Sequence, residues 1–236
     1  MKIVLLTTDT THHTFFAYKV NERFPFHAIF IETRNVISSF DTFHPFEKDR
    51  DTYEQRELLS GLASNLTEIT DNYFFETVNC HESIADLKKL VPDVILVFGT
   101  GRLTVPLIQI APLGCLNLHG GNPEEYRGLD SHLWTIYNRD FNNLMATLHY
   151  IDEELDTGDI IFQKRLNFDK QNRLYMLRSI NTRVCVELTL LALDSLKSTG
   201  RLYSKKQLTK GRYYSFMPSA LKEDCVKEFE QYVAKL

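Results

Sequence analysis

Cys115-Leu116-Asn117-Leu118-His119-Gly120-Gly121 reads as a strand that ends in a tight turn. Side chains alternate along a strand, so Leu116 and Leu118 point one way while Asn117 and His119 share the other face. Gly120 and Gly121 stop the strand and let the backbone turn beside whatever binds there. Ligands of an open parallel sheet sit just beyond the carboxyl ends of the strands, which is where His119 falls. An isolated amide and imidazole at a strand end more often satisfy neighbouring backbone than catalyse. The functional reading therefore rests on what accompanies them.

Working outward, residues 2–7 read as a first buried strand, followed by a polar turn over 8–14 and a helix that begins near Phe15. A short apolar strand is expected over 26–32. Leu58, Leu62 and Leu66 recur at helical spacing within 53–66. A helix over 82–91 buries Ile84, Leu87 and Val91 and is ended by Pro92. Val94-Ile-Leu-Val-Phe98 is then a central strand that delivers Gly99-Thr-Gly-Arg102 at its carboxyl end, and a helix begins near Thr104-Val-Pro106. Past the Asn-x-His strand, 130–137 reads as a helix with Leu133, Ile136 and Tyr137 on one face and His132 as a surface or packing residue. Strands over 144–151 and 160–167 flank the acidic loop Asp152-Glu-Glu-Leu-Asp-Thr-Gly-Asp159. A long helix over 173–197 carries Leu174, Leu177, Val184, Leu188 and Leu191 and is closed by Gly200. Residues 201–236 read as an extended segment and a terminal helix with Leu221, Cys225 or Val226, Phe229 and Val233 inward. The expected class is α/β, with a mostly parallel twisted sheet flanked by helices. A catalytic domain over 1–200 is expected, with 201–236 as a C-terminal extension.

The 236 residues, 43% hydrophobic and 25% charged, suit a globular protein with a sizeable core. The formal charge of −4 and the lack of a long basic run argue against a nucleic-acid partner. No stretch is long and apolar enough to span a bilayer. Cys80, Cys115, Cys185 and Cys225 are scattered and read as reduced thiols of a cytoplasmic protein. His12 and His13 are adjacent, so their side chains diverge, and no third ligand lies at a suitable spacing; no metal is expected.

The run Asn117-Leu-His-Gly-Gly-Asn-Pro-Glu-Glu-Tyr126-Arg127-Gly128, followed by Leu155-Asp-Thr-Gly-Asp-Ile160, resembles the folate-dependent formyltransferases over roughly the first two-thirds of the chain. That family is marked by Asn-x-His, a Tyr-Arg-Gly or similar turn, and Asp-x-Gly. The resemblance implies a Rossmann-like formyltransferase fold, N10-formyltetrahydrofolate as co-substrate, and Asn117, His119 and Asp156 as the catalytic residues. It places Phe98, Gly99, Gly101, Arg102 and Leu103 against the pterin, with Asp152, Glu153 and Leu155 of the acidic loop reaching back over the same pocket. Gly120, Gly121, Asn122, Tyr126 and Arg127 are the expected substrate contacts.

The residue types suit that chemistry. An amine attacking a formyl carbon builds a tetrahedral oxyanion and must lose a proton while the folate nitrogen leaves. Asn117 can donate to the oxyanion. His119 can take the proton or, when charged, stabilise the oxyanion, and the sequence leaves both roles open. Asp156 can orient His119. The Gly-Gly-Asn-Pro variant looks most like nucleotide-sugar N-formyltransferases that act on dTDP-linked 4-amino (sometimes 3-amino) dideoxyhexoses in surface-polysaccharide pathways, several of which pair through their C-terminal part. Family members acting on glycinamide ribonucleotide carry a Gly-rich phosphate loop after the first strand; here Asp9 and a run of threonines stand instead. The segment after Arg201 is expected to be too short for the additional barrel of initiator-tRNA formyltransferases. From another class, a non-catalytic folate or nucleotide-sugar binding protein is the alternative. A homodimer is expected, with Leu202, Tyr203, Tyr213, Tyr214 and Phe216 as the pairing surface and the nucleotide end of the site.

Overall fold

In the computed structural model, which describes residues 1–236 apart from 35, 63 and 64, the first half runs β1 (Ile3–Thr7), α1 (Thr11–Asn21), β2 (Ala28–Glu32), α2 (Phe46–Leu58), β3 (Asn72–Phe75), α3 (His81–Leu90), β4 (Val94–Phe98), α4 (Val105–Ile108) and β5 (Cys115–His119). The second half runs β6 (Tyr126–Gly128), α5 (Ser131–Tyr137), β7 (Met145–Tyr150), β8 (Ile160–Arg165), α6 (Leu177–Thr199), β9 (Arg212–Tyr214) and α7 (Ser219–Val233). The main sheet has the order β3-β2-β1-β4-β5-β7-β8. Its first five strands are parallel, and β7 and β8 run antiparallel at one edge. Strands β1, β2 and β4 are buried at every residue, as expected when helices cover both faces. Ile3 and Leu5 enter the larger core beneath α1, α5, α6 and α7, while Val4 and Leu6 enter a smaller one with Leu87 of α3 and Leu107 of α4. The chain reverses its direction of travel across the sheet between β1 and β4, so the crevice lies at their carboxyl ends, beside β5.

Several elements differ from the sequence expectation. The first helix starts at Thr11, and His12 and His13 lie inside it, buried, rather than in a turn. Threonines and histidines are weak helix formers, but burying the Phe15, Phe16 and Val20 face decides the matter. The helix expected over 53–66 is α2, about two turns earlier, with Leu66 in a separate short 3-10 turn where the Asn65 side chain accepts the Thr67 N–H. Ala63 and Ser64 of that expected helix lie outside the described residues. Val91 is exposed, with φ of 50°, because Pro92 disfavours helical geometry in the residue before it. Leu191 is exposed as well, since the buried stripe of α6 follows Cys185, Leu188, Thr189, Ala192, Leu193 and Leu196 and passes it by. Tyr137 is likewise exposed at the end of α5. The short strand β3 was not anticipated, and Tyr126-Arg-Gly is a strand, β6, rather than a turn.

Beyond Gly200 the chain folds back onto the rest. Strand β9 pairs in parallel with β6. Met217 and, on α7, Cys225, Phe229 and Val233 belong to the larger core. Tyr232 stacks on Phe141 with ring centroids 4.1 Å apart. Tyr203, Leu208 and Tyr213 stay exposed.

Candidate active site

The polar cluster of the site is assembled by one strand pair and one loop. Antiparallel register sets Asn117 of β5 opposite His149 of β7, and His119 opposite Thr147. The loop after β7 then carries Asp156 back over both. Asp156 takes a left-handed backbone, with φ of 56°, and is buried with His119 and His149. Gly158 makes that return possible: a Cβ there would stand 1.8 Å from the carbonyl oxygen of Tyr150. One carboxylate oxygen of Asp156 lies 3.6 Å from Nδ1 of His119 and accepts the Gly128 N–H at 2.9 Å; the other lies 3.6 Å from Nε2 of His149 and 3.4 Å from Nδ2 of Asn117.

The hydrogen bonds also fix the tautomers. Nε2 of His119 lies 2.7 Å from the Tyr126 carbonyl, which can only accept, so that nitrogen carries hydrogen and Nδ1 faces the carboxylate. Nδ1 of His149 likewise donates to the Tyr150 carbonyl at 2.7 Å, leaving Nε2 to accept from Asn117 at 3.1 Å. Burial alone pushes the Asp156 carboxyl up. The imidazoles of His119 and His149 beside it, together with the Gly128 N–H, outweigh burial and hold the group well below the usual carboxylate range. Asp156 is therefore a fixed negative charge.

Two cavities meet at this cluster. One, of about 210 Å³, is lined by Val97–Leu103, by His149 and by Ile151, Asp152 and Glu154–Asp156, and reaches Asn117 and His119. The other, of about 250 Å³, lies toward the helices, between Phe46, Glu47 and Arg50 of α2, Asp130–Leu133 around α5, and Leu174–Asn181. His119, Gly120, Gly128 and Leu129 line both. The wall of the second cavity is tied together by charge. Buried Glu54 takes the Arg178 guanidinium through both oxygens, at 2.7 and 2.5 Å, joining α2 to α6. Buried Lys222 of α7 donates to Glu47 at 2.7 Å and to the Thr42 carbonyl.

A family model described as formyl transferase matches residues 1–183, more than half of the chain and including every residue of this cluster. The chain belongs to the formyl transferase family. It is similar to the methionyl-tRNA formyltransferase of Clostridioides difficile, 39% identical over 90 residues that make up 38% of this chain and 29% of that protein. Against that of Thermotoga maritima it is 28% identical over 157 residues, 66% of this chain and 49% of that protein. The matched region thus spans less than half the length of these curated relatives. Among solved structures, a sugar N-formyltransferase from a Shewanella species superimposes with a TM-score of 0.64 at 15% identity, over 97% of this chain and 87% of that one. A 4-N formyltransferase from Francisella tularensis gives 0.60 at 19% identity, over 91% and 76%. HypX from Aquifex aeolicus in complex with tetrahydrofolic acid gives 0.62 at 16% identity, over 94% and 31%. These structures share the fold.

In this member of the family, Asn117, His119 and Asp156 lie together in one cluster. Of the residues expected around the cofactor, Phe98, Gly99, Gly101, Arg102, Leu103, Asp152 and Leu155 line the smaller cavity. Glu153 does not; its carbonyl receives the Arg102 guanidinium. The loop 99–102 is pinned by buried Glu32, which accepts the Gly101 N–H at 2.9 Å, and by His13, whose ring occupies the space a Gly99 side chain would need, 2.1 Å from its Cβ position. Of the expected substrate contacts, Gly120 lines both cavities, whereas Gly121, Asn122, Tyr126 and Arg127 line neither. Asn122 bonds Asn143 and Gln163, Tyr126 stacks on Tyr214, and Arg127 donates to the carbonyls of Gly211 and Leu155. Arg127 thereby holds the acidic loop against β9. The sequence reading missed His149, although an imidazole in the mostly apolar strand 146–151, opposite Asn117 once the two strands are paired, is a usable signal. It also missed Arg50, Asp130, Arg178 and Asn181, which reach the larger cavity from distant segments without a local motif.

Proposed function

We propose that this formyltransferase moves the formyl group of N10-formyltetrahydrofolate onto the amino group of a dTDP-linked 4-amino-4,6-dideoxyhexose, in the cytoplasm and for surface-polysaccharide synthesis. The observation that carries the reading is the pair of cavities joined at His119, one for each substrate. The smaller is walled by backbone of Val97–Leu103 and by the acidic loop, a setting suited to the flat, hydrogen-bonding pterin. The larger offers Asp130, His132, Asn181 and Arg50 beside Phe46, Leu133, Leu174 and Leu177. That mixture suits a ring with hydroxyls on one side and a methyl on the other. At about 250 Å³ it falls below the roughly 300–1,000 Å³ typical of drug-sized ligands, so it takes the sugar and leaves the nucleotide outside.

The reaction then proceeds across His119. The amine lone pair forms the new N–C bond while the carbonyl pair moves onto oxygen. Asn117 supplies an N–H to that oxygen by giving up its long contact to Asp156. The proton on the attacking nitrogen leaves for Nδ1 of His119, whose charged form meets Asp156 on one side and the Tyr126 carbonyl on the other. Collapse restores the carbonyl, breaks the C–N10 bond and returns a proton to N10. His149 positions Asn117 and Asp156 for this exchange. Exposed Tyr203 and Tyr213 support contact with thymine or with a second copy of the chain in a homodimer.

Formylation of methionyl-tRNA is the second reading, favoured by the names of the curated relatives. Both are tested by supplying N10-formyltetrahydrofolate with 3- and 4-amino sugar nucleotides, glycinamide ribonucleotide and methionyl-tRNA, and following each by mass spectrometry. The expected result is one formyl group added to an amino sugar nucleotide. Transfer to methionyl-tRNA or glycinamide ribonucleotide alone would replace that assignment.

A further inference from the structure

Gly120 stands where the two cavities meet, and His132 of α5 presses against it. A Cβ at Gly120 would lie 3.0 Å from Cε1 and 3.3 Å from Nδ1 of His132. Nε2 of His132 is 2.8 Å from the Met145 carbonyl, so it is the nitrogen that carries hydrogen and Nδ1 is a bare lone pair. Among the described residues this is the one hydrogen bond the ring makes. Burial, helped by nearby His119 and opposed by the bond to Met145, pushes His132 down to about 4, which keeps the ring neutral at neutral pH. Asn181, also buried, turns its Nδ2 toward Gly120, 3.6 Å from a Cβ placed there. The bare Nδ1 of His132, which lines the larger cavity, is thus the acceptor offered at this end. His119 differs, because both of its nitrogens already face acceptors.

We infer that Nδ1 of His132 receives one N–H of the incoming primary amine and turns the nitrogen lone pair toward the formyl carbon. The inference rests on the proposed formyl transfer to an amine but not on which amine is used. A neutral acceptor at this point selects a donor-bearing amine and adds no positive charge that would repel it. The second N–H of the amine is then the one lost to His119.

Two substitutions separate this role from a structural one. In His132→Gln the side-chain amide can still donate to Met145, where Nε2 did, but nothing replaces Nδ1. In His132→Asn a polar atom remains near the Nδ1 position while the bond to Met145 is lost. The expected result is that His132→Gln keeps a Tm close to the parent and an unchanged KM for formyltetrahydrofolate, while kcat/KM for the amine falls roughly 10- to 100-fold, as for a buried donor left unpaired. His132→Asn should melt lower and yet retain more kcat/KM than the Gln variant. Unchanged amine kinetics in folded His132→Gln, or losses that follow Tm so that Asn is the worse variant, would overturn the inference. The assay uses whichever amine the wild-type protein formylates, so failure of the amino-sugar assignment shows in the wild-type panel and is distinct from failure here.

Discussion

The two cavities that share His119 are built in opposite ways. The smaller is made of strand ends and two loops, 99–103 and 151–156, each held by one or two hydrogen bonds to a buried group. The larger is made of side chains from α2, α5 and α6, with α2 tied to α6 by Glu54–Arg178 and braced from outside by α7 through Glu47–Lys222. A backbone-lined pocket is fixed by local geometry, whereas a helix-lined one is only as firm as the packing and charge pairing between its helices. Changes on either side should therefore fail differently.

The shared residue comes first because its effect is largest. His119→Asn should lower kcat by about 100- to 10,000-fold, the usual cost of losing a positioned acid or base, while KM for both substrates stays close to the parent. Steady-state kinetics with each substrate varied in turn measures this, and near-normal turnover would remove His119 from the reaction. On the helix-lined side, Lys222→Ala leaves Glu47 with Arg50 alone, 3.6 Å away, and removes the donor to the Thr42 carbonyl. A loss of about 1–3 kcal/mol in unfolding free energy is expected by denaturant titration, together with a higher KM for the amine and no change in KM for the folate. An equal rise in both KM values would erase the distinction between the two sides.

Gly158→Ala probes the loop-lined side. The added methyl meets the Tyr150 carbonyl, so the loop must shift and carry Asp156 with it. A displacement near 1 Å should cost roughly a hundredfold in kcat/KM, with amine affinity intact by calorimetry. The smallest effect is in pH. Burial lowers His12 and His132, and His13 to about 3, so in the folded protein they resist protons that the unfolded chain takes up near its ordinary pKa. Their contribution to stability is complete above about pH 6.5 and is lost as the pH falls toward the folded values. Asp156 has the opposite shift: its contribution is present above about pH 3.9 and is lost only below that. Calorimetric Tm should thus drop between about pH 7 and about pH 5, and less so in His132→Gln; a level Tm would contradict the burial of these rings.

The same contrast explains what could be read from the sequence. Asn117, His119 and the strand that bears them were evident because alternation within five residues sets their direction. Asp156 was recognisable through its glycine-bearing motif. His149 needed the register of two strands as well. Arg50, Asp130, Arg178 and Asn181 converge from three separate segments of the chain, and each alone reads as an ordinary polar residue in or beside a helix. Arg127 misled for a related reason: a guanidinium in a loop motif suggests an anion, but here two backbone carbonyls had already claimed it. In 201–236 the terminal helix and its inward Cys225, Phe229 and Val233 were legible from spacing, whereas the pairing of β9 with β6 and the docking of Met217 into the larger core depended on long-range packing that no local pattern specifies.

Formyl transfer across His119 between two separately filled cavities has one direct kinetic signature. With N10-formyltetrahydrofolate and the accepted amine varied against each other, initial rates should give intersecting double-reciprocal lines, and tetrahydrofolate and amine should bind together in calorimetry. Parallel lines, with formyl retained on the protein in the absence of amine, would contradict the account.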